Sequence, residues 1–427
     1  MIRQPNIVVF LASDLGYGDL GCYGNPSHRT PNIDRLAAKG IRFTDFHSNG
    51  SMCSPSRAAL LTGRYQQRVG LEYVLNHHTR DYPAMSNDAY TLGHAFKKNG
   101  YAPGFFGDHH TGYLPENSPL KSGFDEFYGL CGGMDHHSHV TRWGKPNLWN
   151  GEKPIEEKGY VSDLIADHAI EFMQTHRDKP FCMHVADFLV HFPFQGPNDE
   201  PLFKQGVNND SAEHKYGQSA NPKETYREMV EAMDKNVGRI LDRIRDLGIE
   251  DRTLFIFTTD HGGHHLVADN APCRGAKGSF LEGGQRIPAI ACWPGVLKPG
   301  KTEDAPLMLM DIFPTVLEAC KLPKPNETSF DGASFWPRIV KGDPFPERTI
   351  FWRMGKLKAA RRGKWKLLVD ADGEHLYDLN ADMGETKDRL SEEPAVAAGL
   401  REALKQWEAD IPPAPKLLAK ASGKNME

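Results

Sequence analysis

The sequence predicts an α/β protein with a large, mostly parallel β-sheet flanked by helices and a smaller C-terminal subdomain. Over the first three quarters of the 427 residues, short apolar runs alternate with amphipathic stretches, as in parallel sheets that are buried on both faces. From about residue 346 the pattern changes to short strands separated by Gly and Asp-Gly turns, which is typical of a small antiparallel sheet. We therefore predict a large domain over residues 1–345 and a C-terminal subdomain over residues 346–427.

The strands of the large sheet are predicted from four apolar segments, "NIVVFL", "APGFFG", "PFCMHVADFLV" and "TLFIFTT". The clearest helix is "ETYREMVEAMDKNVGRILDRIRDLG", whose apolar residues recur every three or four positions and which stops at Gly248. A last helix, "PAVAAGLREALKQWEAD", is expected to pack on the antiparallel sheet, and the lysine-rich tail after "IPPAP" is expected to fray.

Composition excludes several classes of protein. A net charge of -5 with 39% hydrophobic and 25% charged residues is ordinary for a soluble globular protein and argues against nucleic acid as a partner. Seven scattered cysteines without a Cys-x-x-Cys pair disfavour a disulfide framework and a cysteine zinc site. No apolar run approaches a membrane span, and the N-terminal one is too short for a secretion signal. Either the chain is cytoplasmic or its signal lies before this numbering.

Polar side chains follow each predicted strand of the large sheet. The first strand is followed by Ser13 and Asp14, the others by Asp108-His109-His110, by His191 and by Asp260-His261. Ligands of open α/β sheets bind beyond the carboxyl ends of the strands. Carboxylates and imidazoles at one such edge suit a metal ion and proton transfer.

The segment "SMCSPSRAALLTGR" places a lone cysteine, Cys53, at the start of a predicted helix. Ser54 and Pro55 form a good helix start, and Gly63 ends the run of helix formers. Free backbone N–H groups and the positive end of the helix dipole favour an anion beside Cys53. Arg57 lies four residues on, so it shares roughly the same helix face.

This segment resembles the Cys-x-Pro-Ser-Arg signature of the type I sulfatases, in which the cysteine is converted to Cα-formylglycine. Further matches are "DLGYGDLGCYG", "TPNIDRLAAKG", "TTDHGG", "RGAKGSFLEGGQRIPAIACWPG", "DIFPTVLEA" and "GKWKLL...LYDL", which cover essentially the whole chain in family order. The resemblance implies an alkaline-phosphatase-like fold with a smaller C-terminal subdomain and hydrolysis of a sulfate ester. It also implies a formylglycine-generating maturation enzyme and a periplasmic or extracellular location.

The resemblance assigns roles by motif position. Formylglycine derived from Cys53 would be the nucleophile, Arg57 would steady it, and Lys277 would hold the sulfate and assist the leaving group. His191 would protonate the departing alkoxide, and His110 would take the proton from the second hydroxyl of the hydrated aldehyde. The ligands of a divalent cation, expected to be calcium, would be Asp14, Asp260, His261 and the residue at position 53.

Two positions depart from the family pattern. Ser13 stands where the family usually has an aspartate, and Asp108 stands where it has a lysine that contacts the formylglycine. Loss of a carboxylate weakens a calcium site. We therefore expect Asp108 to supply the missing carboxylate from the adjacent strand end, which makes Ser13 and Asp108 additional candidate ligands. An imidazole at position 261 could also admit a softer divalent ion.

The loop "CGGMDHHSHVTRWGKPNLW" suggests a sulfated carbohydrate as the substrate. Its imidazoles, cations and indoles suit an anionic sugar, and the candidate substrate-binding residues are His136, His137, His139 and Arg142, with Trp143 and Lys145 beside them. Alternatively, these histidines simply face water on a surface loop. Two other functions remain open: a catalytically degraded binder of sulfated glycans, and a phosphate or phosphonate ester hydrolase of the same fold.

Overall fold

A computed structural model describes residues 4–76, 80, 82–209 and 216–415, so the lysine-rich tail lies outside the described residues. The strands are β1 (Asn6–Ala12), β2 (Ile41–Phe43), β3 (Phe46–His47), β4 (Ala102–Asp108), β5 (Glu126–Leu130), β6 (Trp149–Asn150), β7 (Lys153–Pro154), β8 (Phe181–Ala186), β9 (Thr253–Thr259), β10 (Ala289–Cys292), β11 (Lys301–Glu303), β12 (Leu307–Met308), β13 (Thr349–Met354), β14 (Leu357–Arg362), β15 (Trp365–Val369) and β16 (Glu374–Asp378). The helices are α1 (Pro31–Lys39), α2 (Cys53–Thr62), α3 (Leu92–Lys98), α4 (Val161–Thr175), α5 (Pro222–Asp246), α6 (Glu282–Gln285), α7 (Ile312–Ala319), α8 (Trp336–Lys341) and α9 (Pro394–Asp410).

The large sheet has ten strands in the order β11-β2-β10-β9-β1-β8-β4-β5-β6-β7. Its centre, from β9 to β5, is parallel, and antiparallel pairs involve β10 on one side and β6 and β7 on the other. The four apolar segments chosen from sequence are the four central strands β1, β4, β8 and β9. The predicted large, mostly parallel sheet flanked by helices is confirmed.

Both faces of the sheet are buried, which explains why its strands are continuous apolar runs rather than alternating ones. Val8 and Phe10 of β1 face a core that includes residues of α1, α4 and α5. Ile7, Val9 and Leu11 face the opposite core, which includes residues of α2, α3, α7 and α8. The methionine-bearing stripe of α5 lies in the first core, as its helical spacing predicts.

The C-terminal subdomain is a four-stranded antiparallel sheet in the order β13-β14-β15-β16, with α9 packed on it. Trp352 and Leu367 of the sheet share a core with Leu404 and Trp407 of the helix. The antiparallel sheet is confirmed, whereas the boundary between residues 345 and 346 stays a prediction. None of the described helices is both long and apolar enough to cross a membrane.

Candidate active site

The four central strands of the sheet deliver the predicted site residues to one edge. Ser13 and Asp14 follow β1, Asp108 ends β4, His191 lies in the loop after β8, and Asp260 follows β9. The strand order β9-β1-β8-β4 makes these strand ends neighbours. Asp14 has a positive φ of 59°, in the left-handed region that aspartate tolerates better than most residues. Side chains separated by up to about 250 positions in the sequence therefore meet at a buried centre.

Cys53 lies at this centre, at the first residue of α2. The Sγ atom is 3.2 Å from Nε2 of His261, 3.7 Å from Nζ of Lys277 and 4.0 Å from Oδ1 of Asp14. The side chain is buried, and α2 ends at Gly63, whose φ of 66° suits a glycine helix stop. A reactive group at position 53 is therefore held by the helix start, as the sequence predicts, with a lysine and an imidazole beside it.

Lys277 is paired with Asp14. Its Nζ lies 2.6 Å and 2.9 Å from the two carboxylate oxygens, and it also lies 5.3 Å from the centre of the Phe192 ring. Burial lowers the pKa of the lysine, but Asp14 and Cys53 outweigh it and raise the pKa above its ordinary value. Burial raises the pKa of Asp14, but the nearby Lys277 and His191 lower it by more, so the net pKa of Asp14 is below its ordinary value. The pair is therefore ionised.

Arg57 is fully buried and ties three strand ends together. Nη1 donates to the backbone oxygen of Asp108, and Nη2 donates to Oγ of Ser13 at 2.6 Å and to Oδ2 of Asp260 at 3.0 Å. Nη2 also lies 3.3 Å from Oδ2 of Asp108. Burial lowers its pKa, but Asp108 and Asp260 raise it to a net value above normal. The guanidinium is thus a fixed positive charge between β1, β4 and β9.

A group with the composition of a metal site surrounds Cys53. Among the described residues, Asp14, Cys53, Asp260 and His261 are all buried and offer ligand atoms within 4.8 Å of one another. Burial lowers the pKa of His261, but Asp260, Cys53 and Asp14 together raise it to about 9. An imidazole that holds a proton among three acidic groups marks a position where a cation fits, and oxygen donors from two carboxylates suit a hard divalent ion. The residues present therefore fit the expected metal.

Ser13 and Asp108 lie next to this group but outside it. The hydroxyl of Ser13 donates to the backbone oxygen of Asp187 and accepts from Arg57. Asp108 accepts a hydrogen bond from the backbone N–H of Gly132 and pairs with Arg57, which lowers its pKa against the effect of burial. Both side chains thus contact the guanidinium of Arg57, which itself contacts Asp260.

The two histidines expected to move protons are also buried near the centre. Nδ1 of His191 is 2.5 Å from the backbone oxygen of Phe192, and burial together with Lys277 lowers the pKa of His191 to about 3. Nε2 of His110 is 3.2 Å from the backbone oxygen of Leu75, and burial lowers its pKa as well. Both imidazoles are therefore neutral at neutral pH.

The candidate substrate loop is only partly presented to the outside. His136 is fully buried, with Nε2 at 2.9 Å from the backbone oxygen of His191, so its ring supports His191. His139 is buried against the backbone oxygen of Gly159. His137 and Arg142 are half-buried, and the Arg142 guanidinium lies 4.4 Å from the Trp143 ring. The loop thus divides into inward supporting imidazoles and an outer face around Arg142.

Sequence reasoning missed several contributors to this centre. Phe192 supplies the ring beside Lys277, and the backbone of Asp187 holds Ser13. The supporting role of His136 was also missed, because the sequence of a loop does not indicate which of its histidines point inward or which backbone oxygen they contact. A signal existed only for Phe192, which follows His191 directly in the chain.

Comparison with known proteins identifies the family. The sequence profile of the Sulfatase family matches residues 5–322. Mouse (Mus musculus) N-acetylgalactosamine-6-sulfatase is 34% identical over 85% of this chain and 72% of its own length. Human (Homo sapiens) arylsulfatase A is 32% identical over 89% of this chain and 78% of its own length.

A solved structure agrees with these relatives. The crystal structure of Ps i-CgsB in complex with k-i-k-neocarrahexaose superimposes with a TM-score of 0.86 at 28% identity, covering 98% of this chain and 96% of the other. A bound metal ion and a formylglycine residue are general features of the sulfatase family, and the buried group around Cys53 provides a place for them. This chain therefore belongs to the sulfatase family and is a sulfuric ester hydrolase.

Proposed function

We propose that this sulfatase removes sulfate from a sulfated carbohydrate, with Cys53 as the precursor of its formylglycine nucleophile. The observation that carries the proposal is the position of Cys53 at the start of α2, with Lys277, His261 and Asp14 within 4.0 Å of its sulfur. The carbohydrate part is supported by the N-acetylgalactosamine-6-sulfatase relative and by the oligosaccharide complex of Ps i-CgsB.

Two groups complete the chemistry. Formylglycine at position 53 supplies a hydrated aldehyde whose hydroxyl is the nucleophile. Asp14, Asp260, His261 and the residue at position 53 would hold a divalent cation, for which we propose calcium, and that cation would lower the cost of negative charge on the reacting oxygens. Ser13 and Asp108 remain candidate ligands. Both contact the guanidinium of Arg57, which lies between them and the proposed ligand Asp260.

The fixed cations bind and orient the sulfate group. Lys277 keeps its proton and points at the sulfur of Cys53, so it holds a sulfate oxygen beside the nucleophile and stabilises negative charge that develops there. Arg57 contacts Asp260 and Ser13, so it fixes the strand ends that carry the metal ligands. Its charge also favours an oxygen anion at the start of α2.

The two neutral histidines move protons. Nδ1 of His191 faces the backbone oxygen of Phe192, which leaves Nε2 as the atom that exchanges a proton with the leaving group. Burial and, after it, the charge of Lys277 hold the pKa of His191 down; an anionic sulfate ester beside His191 would offset the charge of Lys277 and so raise the pKa of His191 towards that of a proton donor. His110, on the β4 side, would accept a proton from the hydroxyl at position 53 when the bond to sulfate breaks and the aldehyde reforms.

The proposal also includes the maturation partner and the location. Because Cys53, Pro55 and Arg57 stand in the sulfatase signature, we propose that a formylglycine-generating enzyme modifies Cys53. The periplasmic or extracellular location implied by the resemblance remains a prediction.

The test compares two model substrates on matured protein. We expect turnover of 4-nitrophenyl sulfate well above that of 4-nitrophenyl phosphate, and loss of about three orders of magnitude or more of the sulfatase rate in Cys53→Ala. Peptide mass spectrometry of the segment with Cys53 measures the conversion to aldehyde in the same sample. An unmodified thiol in protein from a maturing host, with no turnover, would favour a sulfated-glycan binder. Preference for phosphate would favour the phosphoester hydrolase.

A further inference from the structure

A second buried charge cluster joins the C-terminal sheet to the large domain. We call it the linking cluster, and its members are Asp45, His47, Glu282, Arg286, Arg361, Lys366 and Glu385. Lys366 lies on β15, Glu282 opens α6, and Glu385 follows β16. The side chains of Lys366, Glu282 and Glu385 are all 0% exposed. Charges buried to this degree need partners, and here Lys366 and the two glutamates come from different parts of the chain.

The contacts centre on Glu282. Lys366 Nζ donates to its Oε1 at 2.8 Å, and Arg286 Nε donates to its Oε2 at 2.7 Å. Nε2 of His47 is 3.0 Å from the same Oε2. Lys366 also lies 3.0 Å from Oε1 of Glu385, whose other oxygen accepts the backbone N–H of Glu282 at 2.5 Å. The start of α6 is therefore held at both its side chain and its backbone.

The linking cluster is balanced without a metal ion. Asp45, His47 and Glu282 have the composition of a possible metal group. However, Asp45 pairs with Arg361 at 2.6 Å and with Arg286 at 3.0 Å. Three basic side chains thus face the three carboxylates of the cluster, and burial lowers the pKa of His47, which is neutral. No excess negative charge remains to hold a cation.

Helix α6 lies directly beneath the loop that carries Lys277. The backbone N–H of Gly283 donates to the oxygen of Arg274, and Gly284 accepts from Gly262, the residue after His261. A Cβ on Gly284 would lie 2.1 Å from the backbone oxygen of Ser279, so only glycine allows this approach. The backbone of α6 and the loop are in van der Waals contact, with no side chain between them.

The same loop touches the rest of the active site through its backbone. Lys277 N–H donates to the oxygen of Gly263 at 3.1 Å, and Gly278 N–H donates to the oxygen of Ser51 at 2.9 Å, two residues before Cys53. A displacement of α6 would therefore be passed to Lys277 and to the segments that carry His261 and Cys53. Interiors of this density transmit strain rather than absorb it.

We infer that Lys366 is a positioning residue for catalysis: through Glu282 and α6, the C-terminal sheet holds Lys277 against Asp14 and the residue at position 53. The inference rests on the sulfate-binding role proposed above for Lys277. Removal of Lys366 leaves the carboxylates of Glu282 and Glu385 beside each other without the cation they share. They then repel, α6 moves, and Lys277 leaves its position.

The test replaces Lys366 by methionine, which keeps the length of the side chain and removes its charge. Lys364→Met is the matched control, because Lys364 directly precedes β15 and its side chain is 44% exposed, whereas that of Lys366 is 0% exposed. We expect kcat/KM for 4-nitrophenyl sulfate to fall by about 10- to 100-fold in Lys366→Met, since a displacement of about 1 Å at a catalytic group has an effect of this size. The control should stay within about twofold.

A second readout separates positioning from mere stability. The proposed role of Lys277 makes inorganic sulfate a competitive inhibitor, and its inhibition constant should rise in Lys366→Met when measured well below the unfolding temperature. A purely structural role would lower the unfolding temperature and leave both the inhibition constant and kcat/KM unchanged. That result would overturn the inference.

Two further variants distinguish charge repulsion from misfolding and test the role of Lys277 itself. Glu385→Gln added to Lys366→Met removes the repulsion, so we expect it to recover much of the lost kcat/KM, and it serves as the test protein if the single variant fails to fold. No recovery in this double variant would count against the inference. Lys277→Ala tests the role on which the inference rests: an active Lys277→Ala would overturn that role, whereas an inactive one beside a normal Lys366→Met would overturn only the inference.

Discussion

The active-site centre and the linking cluster use the same residue types, yet only one of them suits a metal ion. At the centre, the carboxylates Asp14, Asp108 and Asp260 face the two fixed cations Arg57 and Lys277. In the linking cluster, three carboxylates face three fixed cations.

The pKa values of the two histidines differ in the direction that this difference in charge predicts. The acidic neighbours of His261 overcome burial and raise its pKa to about 9, so it supplies the missing positive charge itself. Burial dominates at His47 and lowers its pKa, so it stays neutral. The number of fixed cations, and not the number of acidic residues, therefore distinguishes a cation site from a structural cluster.

Removing one carboxylate from each cluster tests most directly whether only the active-site centre binds a metal ion. We expect Asp14→Asn to weaken divalent metal binding by about 100-fold or more, because it removes a charged ligand. We expect Asp45→Asn to leave metal affinity within about twofold and to lower the free energy of unfolding by about 3–5 kcal/mol, because it leaves the buried Arg361 without its carboxylate partner and removes one of the two carboxylates that face Arg286. Calorimetric titration with Ca²⁺ and urea unfolding measure the two quantities.

The stoichiometry of the same titration gives an independent check. Metal-depleted wild-type protein should bind one ion with high affinity. A second tight ion that disappears in Asp45→Asn would show that the linking cluster is also a metal site, and the charge-counting argument would fail.

Asp187 offers a third arrangement, a buried carboxylate held by neutral donors. Its oxygens accept from the hydroxyl of Ser162 at 2.7 Å and from the N–H of Leu189 at 3.1 Å, and burial outweighs these bonds and raises its pKa from 3.8 to about 6. Since the folded-state pKa is the higher one, the stability it contributes is fully present below about pH 4 and is lost as the pH rises through 6. The loss amounts to about 3 kcal/mol.

Asp187→Asn tests this pH dependence because asparagine does not titrate. Wild type loses this stability and the variant does not, so the free energy of unfolding of the variant minus that of wild type should rise by about 2–3 kcal/mol between pH 4 and pH 7.5. Urea unfolding across that range measures the slope. Parallel slopes for Asp187→Asn and wild type would contradict the assignment.

Much of the site could be predicted from sequence because strand ends in a parallel sheet are forced together. Asp14, Asp260 and His261 needed only the positions of β1 and β9 to be placed side by side. The helix start at Cys53 was equally local, since Ser54, Pro55 and Gly63 define it.

The linking cluster could not be predicted in this way. Lys366 and Glu282 stand in segments that match family motifs, but 84 positions separate them and neither follows a strand of the large sheet. Likewise, His136 was expected to face the substrate, and it lies under His191 because a loop pattern does not fix which side of the loop is buried. Which distant side chains pair can be seen only once the packing of the C-terminal sheet against the large domain is known.

The smallest expected effect concerns Asp108, which lies at the border of the metal group. Its Oδ2 contacts the same nitrogen of Arg57 that contacts Asp260, so removal of its charge leaves Arg57 to pair more strongly with Asp260 and to compete with the metal ion. We therefore expect Asp108→Asn to weaken Ca²⁺ binding by about 3- to 10-fold, or roughly 1 kcal/mol, in the same calorimetric titration. A loss as large as that in Asp14→Asn would instead make Asp108 a direct ligand that replaces the carboxylate absent at Ser13. An unchanged affinity would exclude both routes and confine Asp108 to holding Arg57 and Gly132 in place.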